Sequence, residues 1–369
     1  MKKTLLTICL VWMCFSLSAQ KIIDLSGKWS FSIDRQDNGE KEKWFSHTLN
    51  DFINLPGSMP EKLKGDEVTA KTQWTGSLYD SSYYYNPYME KYRKEGNIKF
   101  PFFLTPDKHY VGAAWYQKEV NIPADWKGER ILLFLERPHI ETTVWVNGQK
   151  TGMQNSLCVP HQYDITRYVR PGKCTITIRV DNRIKEINVG PDSHSITDQT
   201  QGNWNGIVGR ICLQTTPKTY FDDIQIYPEP EQKLARVKVV IKGTGTAKVK
   251  LSAESFNTDK KHIVPAIQQE IKLNKGVTET EMVLPMGNDM LLWDEFHPAL
   301  YKLKAEVTNG KKTEIKEIQF GMRRFEIKGK WFYVNGHKTQ LRGTVENCDF
   351  PLTGYAPMDV ESWERVFRI

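Results

Sequence analysis

The chain has 369 residues, 39% of them hydrophobic and 26% charged, which is too long for one ordinary domain and too evenly mixed for a disordered one; about two to three domains are expected. Its net charge of +7 comes from 51 basic and 44 acidic residues, scattered without a long basic run, and this argues against a nucleic-acid-binding surface. The 11 Trp, 15 Tyr and 16 Phe suit β-rich domains, where rings pack on pleated sheets; ring faces also suit sugars, but a single ring is read first as core.

Lys2 and Lys3 precede an apolar run from Leu5 to Leu17 and then SLSAQ, the pattern of a secretory signal peptide. Residues 1–19 are therefore assigned to a signal, and an exported protein, periplasmic or extracellular, is expected to begin near Gln20 or Lys21. No later stretch is apolar enough to span a membrane. Cys9 and Cys14 leave with the signal, and Cys158, Cys174, Cys212 and Cys348 are too few for a disulfide scaffold and match no zinc spacing. A Cys158–Cys174 bridge and free thiols both stay open.

From about residue 20 to 217 short β-like runs alternate with turn signals. They include LSGKWSFSID (25–34), GAAWYQKEVNIP (112–123), TITIRVDN (175–182) and IVGRICLQT (207–215). RILLFLERP (130–138) is nearly continuous in apolar residues, as in a strand buried on both faces. TTVWVNGQKTG (142–152) contains Asn147-Gly148, a strong hairpin signal. Residues 76–104 break the rhythm with Tyr79, Tyr83, Tyr84, Tyr85, Tyr88 and Tyr92 in a polar stretch, read as a loop folded either over a ligand or against the sandwich. Residues 218–320 give about six or seven further runs, the length and rhythm of an immunoglobulin-like sandwich. From 321, three short β runs joined by Gly-Lys and Asn-Gly turns lead to QLRG (340–343), read as a short buried strand, then a loop. In MDVESWERVFRI, Asp359 is a good N-cap and Val360, Trp363 and Phe367 share one helix face. Strand, loop and helix make the first step of an α/β domain, and the chain is expected to stop inside it.

Several of these stretches, in this order, resemble glycoside hydrolase family 2. LSGKWSF resembles its L-x-G-x-W-x-F opening, and INLPGSM (53–59), AAWYQKEVNIP, TTVWVNGQKTG with YDIT (163–166), WNGIVGRICL (204–213), LLWDEFHPALYKL (291–303) and FGMRRFEIKGKWFYVNGHKTQLRG (320–343) resemble its later motifs. The matches run over residues 25–343, nearly the whole mature chain, and the Tyr-rich segment has no counterpart among them. The resemblance implies a mainly β architecture: a jelly-roll sugar-binding sandwich over 20–217, an immunoglobulin-like sandwich over 218–320, and the truncated start of a (β/α)8 barrel over 321–369. Eight parallel strands close such a barrel, in about 250 residues.

The family implies retaining hydrolysis of terminal β-glycosides, β-galactosidase-like, by two carboxyl groups about 5–5.5 Å apart. The acid/base Glu stands in an Asn-Glu pair on a later barrel strand; here VENC (345–348) has the reverse order, so both catalytic Glu are expected beyond Ile369 and this chain alone is expected to be inactive. Substrate-binding candidates are Asp198, Asn203 and Trp204 before the WNGI motif, with the aligned family Asp falling nearer Thr200. Arg342 within QLRG and Glu346 and Asn347 after it are further candidates, with Asp349 nearby. GTVEN (343–347) departs from the family's G-v-N-x-H, with Asn347 the nearest polar substitute for its His, and Gly209 stands where the family's Arg is usual, with Arg210 next to it. His139, His161 and His194 form no metal-ligand grouping, so no cofactor or metal is implied and the expected partner is a carbohydrate. Two other readings stand beside the hydrolase: a non-catalytic carbohydrate-binding protein of two β-sandwiches, and, with less to support it, a structural adhesin.

Overall fold

A computed structural model describes residues 21–69, 71–75, 85–98, 105–185, 202–343, 345 and 350–368. They form two compact units, residues 21–215 with those from 343 onward, and residues 216–342. No described helix is long and apolar enough to cross a membrane.

The first unit contains β1 (Ile22–Asp24), β2 (Gly27–Asp34), β3 (Asp51–Leu55), β4 (Gly57–Ser58), β5 (Asp66–Glu67), β6 (Lys108–His109) and β7 (Ala113–Ile122). It continues with β8 (Arg130–His139), β9 (Glu141–Val146), β10 (Gln149–Asn155), β11 (His161–Asp164), β12 (Gly172–Asp181) and β13 (Gly206–Thr216). One sheet runs β1-β13-β8-β11 with β4 on β13, and the other runs β10-β9-β12-β7-β2-β3. Strand alternation sends Ile131, Leu133 and Leu135 of β8 into a core shared with Trp29, Phe31, Tyr116, Ile176 and Ile178 of the second sheet. Each such side chain stabilises the sandwich by about 1.5–3 kcal/mol when fully buried. The LSGKW stretch places β1 and β2 in different sheets, and the Trp29 indole donates back to the Leu25 carbonyl at 2.9 Å. Asn147-Gly148 makes the expected tight hairpin between β9 and β10, both residues at positive φ. In AAWY, Tyr116 enters the core, while Trp115 turns outward to pack on Trp145 with ring centres 4.9 Å apart.

The second unit contains β14 (Tyr220–Glu229), β15 (Leu234–Phe256), β16 (Ile263–Pro285), β17 (Leu300–Asn309) and β18 (Lys312–Phe320), an immunoglobulin-like sandwich. The six or seven runs expected here merge, because β15 and β16 each continue as one long strand through Gly243 and Gly276. Gly243 pairs with Gly276 at that level, and the register shifts between Gly243 and Gly245, so both strands bend together and serve the two layers. A Cβ on Gly243 would lie 2.5 Å from Thr219 Oγ1, which reserves the position for glycine. Beyond it β19 (Phe325–Lys328), β20 (Trp331–Val334) and β21 (His337–Thr339) form a three-stranded meander.

QLRG is not a strand. Residues 340–343 are exposed coil, with Leu341 60% exposed. A parallel strand needs neighbours for its backbone donors and acceptors, and none pairs with these residues among those described. The helix α1 (Val360–Phe367) forms as expected, with the Asp359 carboxylate accepting from Ser362 N at 2.7 Å, and Val360 and Phe367 exposed. Cys158, Cys174 and Cys212 are free thiols, so the Cys158–Cys174 bridge left open by the sequence is not formed.

Candidate functional site

The WNGI turn at one end of β13 is built from three buried asparagines. Asn205 accepts from the Tyr116 hydroxyl at 2.7 Å and donates to the carbonyls of Gly112 and Val180 at 2.9 and 3.0 Å. Asn182 accepts from Gly112 N at 2.8 Å and donates to Tyr110 O at 2.9 Å. Asn203 donates to Thr75 Oγ1 at 2.9 Å and to Asn182 O at 3.1 Å. A side-chain amide offers both donors and an acceptor, so this trio satisfies backbone groups that the strands leave unpaired where they end.

Trp204 stands at the centre of this turn and is 2% exposed. His139, at the end of β8, stacks on its ring at 4.6 Å and 18°, and His139 Nδ1 lies 2.6 Å from the Trp204 carbonyl oxygen. Tyr355 packs on the same ring with centres 5.4 Å apart. Residues 350–358 are held here by further contacts. The Ser58 hydroxyl donates to Thr353 O, and the Tyr355 hydroxyl donates to Glu61 Oε2 at 2.8 Å. Gly354 fits because it lacks a side chain; a Cβ there would sit 2.8 Å from Trp204 Cβ. Burial alone would raise the Glu61 pKa, but hydrogen bonds from Lys62 and Tyr355 outweigh it and keep the carboxylate ionised. Burial, with Glu61 beside it, pushes the Tyr355 phenol upward, so it stays a donor.

The end of β12 is pinned by ions. The Asp181 carboxylate, fully buried, accepts from Arg179 at 2.9 Å, Arg183 at 2.5 Å and Lys185 at 2.8 Å. Arg179 also reaches Asp37 at 2.7 Å and Glu141 at 3.3 Å. Burial would raise the Asp181 pKa, yet the bonds from Arg183 and Lys185 hold it well below the usual carboxylate range. Nearby, a cleft of about 420 Å³ is lined by Arg35, Asp66, Glu67, Gln73, His109 and Tyr110, among others. Its lining carries hydrogen-bond donors and acceptors, of which Arg35 and Asp66 bond each other at 2.6 Å. Trp74 packs on His109 at 4.6 Å, and Thr75 bonds Asn203, so the segment 71–75 links the cleft to the WNGI turn.

Of the residues expected to bind substrate, Asn203 and Trp204 are adjacent and buried, and the Trp204 ring has no open face. Arg342 belongs to the other unit, largely exposed and 3.3 Å from Glu295. Asp198, Glu346 and Asn347 lie outside the described residues, as does much of the Tyr-rich segment; of its described part, Pro87–Tyr92 is a 3-10 helix with Tyr88 exposed. His161 is buried, its Nδ1 2.6 Å from Thr142 Oγ1, and burial lowers its pKa. Sequence reading missed Glu61 and Tyr355, and took up His139 only in setting aside a metal-ligand grouping. The only local signal was the INLPGSM stretch, which ends two residues before Glu61.

A jelly-roll sandwich with a polar, loop-built end is followed in sequence by an immunoglobulin-like sandwich. The chain belongs to glycosyl hydrolases family 2: residues 22–217 match that family's sugar binding domain, and residues 219–323 match the family 2 domain that follows it. A β-glucuronidase of Paenibacillus borealis is 24% identical over 355 residues, covering 91% of this chain and 51% of that protein. A β-galactosidase of Thermoanaerobacter pseudethanolicus is 25% identical over 281 residues, covering 71% of this chain and 35% of that protein. The β-glucuronidase of Ruminococcus gnavus, solved with D-glucuronic acid, shares the fold with a TM-score of 0.62 at 19% identity, over 88% of this chain and 50% of that one. The chain spans about half the length, or less, of the curated relatives it matches.

Proposed function

We propose that this chain is the substrate-positioning part of an exported, retaining β-glycosidase acting on terminal β-glycosides, β-galactosidase-like in its choice of sugar. Its two catalytic carboxyl groups come from barrel residues outside these 369. The observation that carries the reading is the seating of residues 350–358 on the WNGI turn through Trp204, Tyr355 and Glu61. That contact joins the segment leading into α1 to the end of the jelly roll where Asn203 lies. Names among the relatives, β-glucuronidase and β-galactosidase, support a terminal β-linked sugar as the ligand.

Aryl β-galactosides and aryl β-glucuronides test this. The 369-residue chain is expected to bind galactose or glucuronate saturably, in ligand-observed NMR, and to turn over neither aryl glycoside. Reproducible, protein-dependent turnover would overturn the placement of both carboxyls elsewhere. Failure to bind any sugar would overturn the positioning role. Export is checked by N-terminal sequencing of the secreted product, expected to begin at Gln20 or Lys21.

A further inference from the structure

Basic residues that stand scattered along the sequence are gathered by the fold of the second unit. Residues 216–342 carry 22 Lys and Arg against 16 Asp and Glu, an excess of six in a chain whose net charge is +7. Four segments of this unit meet at one end of its sandwich. Between β15 and β16, Gly243 pairs with Gly276 and Thr246 with Lys272. Tyr220, at the start of β14, pairs with Lys242. The turn from β17 to β18 is tied to both, because Asn309 Nδ2 donates to Thr244 O at 2.8 Å and to Thr219 Oγ1 at 3.1 Å. Residues 217–221, 242–246, 271–278 and 308–313 thus form one tip, and their sequences contain six lysines and no aspartate or glutamate. Lys218, Lys272, Lys275, Lys311 and Lys312 are exposed, and Lys242 is partly so. Acids that flank the tip offset only part of this charge. Asp222 pairs with Lys242 at 2.9 Å, and Glu270 stands opposite Lys248 in register. Glu314 is 7% exposed, and its carboxylate accepts from Phe221 N at 2.6 Å.

Like charges held together repel, and a nearby anion relieves the repulsion. The kind of cation narrows the kind of anion. An arginine fork suits a discrete carboxylate or phosphate, but all six cations here are lysines. A lysine is a compact, hydrated point charge on a flexible stem, which suits the diffuse field of a charged plane. Val277, opposite Lys242 in register and 50% exposed, adds an apolar side chain at the same place. Basic and apolar side chains together make a surface that rests on lipid headgroups. We infer that this lysine tip docks the protein, peripherally and reversibly, on an anionic lipid surface. The inference is independent of the carbohydrate reading, and failure to bind a sugar would leave it standing.

The test is cosedimentation of the full chain with vesicles of phosphatidylcholine, with and without phosphatidylglycerol. Binding is expected only where phosphatidylglycerol is present. It should weaken steeply as salt shortens the Debye length from about 10 Å at 0.1 M to about 3 Å at 1 M. Each lysine near the surface contributes about fivefold, so Lys218→Gln, Lys275→Gln and Lys311→Gln together should lower the partition coefficient about a hundredfold. Lys328→Gln, Lys330→Gln and Lys338→Gln remove the same charge from the β19–β21 meander and should leave binding nearly unchanged. Equal loss in the two triple variants would mean that binding follows net charge rather than this tip, and overturns the inference. Undiminished binding in the first triple variant, equal binding to phosphatidylcholine alone, or no binding to either vesicle overturns it as well. Soluble polyglutamate bound as tightly as the anionic vesicles would make the tip a general polyanion surface and overturn its assignment to lipid.

Discussion

Replacing Gly354 by alanine sets two costs against one set of contacts. Gly354 has φ of +80°, a conformation that costs an L-residue about 1–2 kcal/mol. The added methyl would lie 2.8 Å from Trp204 Cβ and 3.0 Å from its Cγ. The indole cannot slide away freely, because His139 is stacked on it, so overpacking adds about 1–3 kcal/mol. Against this total of about 2–5 kcal/mol stand the contacts that seat the segment. The Tyr355–Glu61 bond to a carboxylate contributes about 1.5–3 kcal/mol, the Ser58–Thr353 bond about 0.5–1.5, and the ring pair about 0.5–1.5. The cost and the gain are comparable, and the jelly-roll core takes no part in either. Gly354→Ala should therefore release residues 350–358 without unfolding the sandwich. Amide hydrogen exchange should show at least a tenfold loss of protection there, with the denaturation midpoint of the core nearly unchanged. Tyr355→Phe should show a smaller loss. Unchanged protection in Gly354→Ala would mean that the Trp204 wall yields easily, and the argument from close packing would fail.

Asn205→Ala strands a buried hydroxyl and two buried carbonyls, and should cost about 3 kcal/mol in urea denaturation, against about 1 kcal/mol for Tyr116→Phe. Asp181→Asn breaks a buried ionic cluster and should cost about 3–5 kcal/mol at neutral pH, read from the same midpoint. Its pH dependence follows from sign: the folded Asp181 pKa is depressed, so its stabilisation is present above the unfolded carboxylate value near ~4 and is lost as pH falls below it. The acid limb of the stability profile should thus be shallower in Asp181→Asn, and an unchanged limb would show that other carboxylates dominate. Cys158, exposed, should be alkylated in the native protein when mapped by mass spectrometry. Cys174, its thiol pushed up to about 11 by burial, should react only after unfolding.

Much of the fold was legible because its signals are local. The Asn147-Gly148 and Asn335-Gly336 hairpins formed where the dipeptides stand, both with positive φ. Alternation in residues 175–180 identified a strand whose Ile176, Ile178 and Val180 are buried. Local signals also misled: the six or seven runs counted over 218–320 include pieces of β15 and β16, which continue through Gly243 and Gly276 as bends shared by two paired strands. QLRG had the composition of a strand, but pairing partners decide whether such a run is one. The site was less legible, since its contacts are remote; Ser58 and Thr353 stand 295 positions apart. No periodicity announces that Tyr355 will reach Glu61, or that Trp204 will be enclosed between His139 and Tyr355.

The asparagine trio and the Asp181 cluster have a common consequence. Residues 181–185 and 203–205 border one stretch of sequence, and both borders are fixed by hydrogen-bonded polar groups, most of them buried. Apolar packing could have stabilised these positions at less desolvation cost, since a buried ion pair often gains nothing over a hydrophobic substitute. Directional bonds supply something packing does not: they set the angle at which a chain leaves a sheet. Positioning residues are effective when their supports hold them to within a fraction of an ångström. A hydrophobic replacement of the cluster could therefore preserve or raise stability while loosening residues 181–185 and the WNGI turn beside them. Asp181→Leu with Arg179→Met separates these effects. On the positioning reading, sugar affinity falls even where the denaturation midpoint is retained; affinity that simply tracks stability would assign the cluster to folding alone.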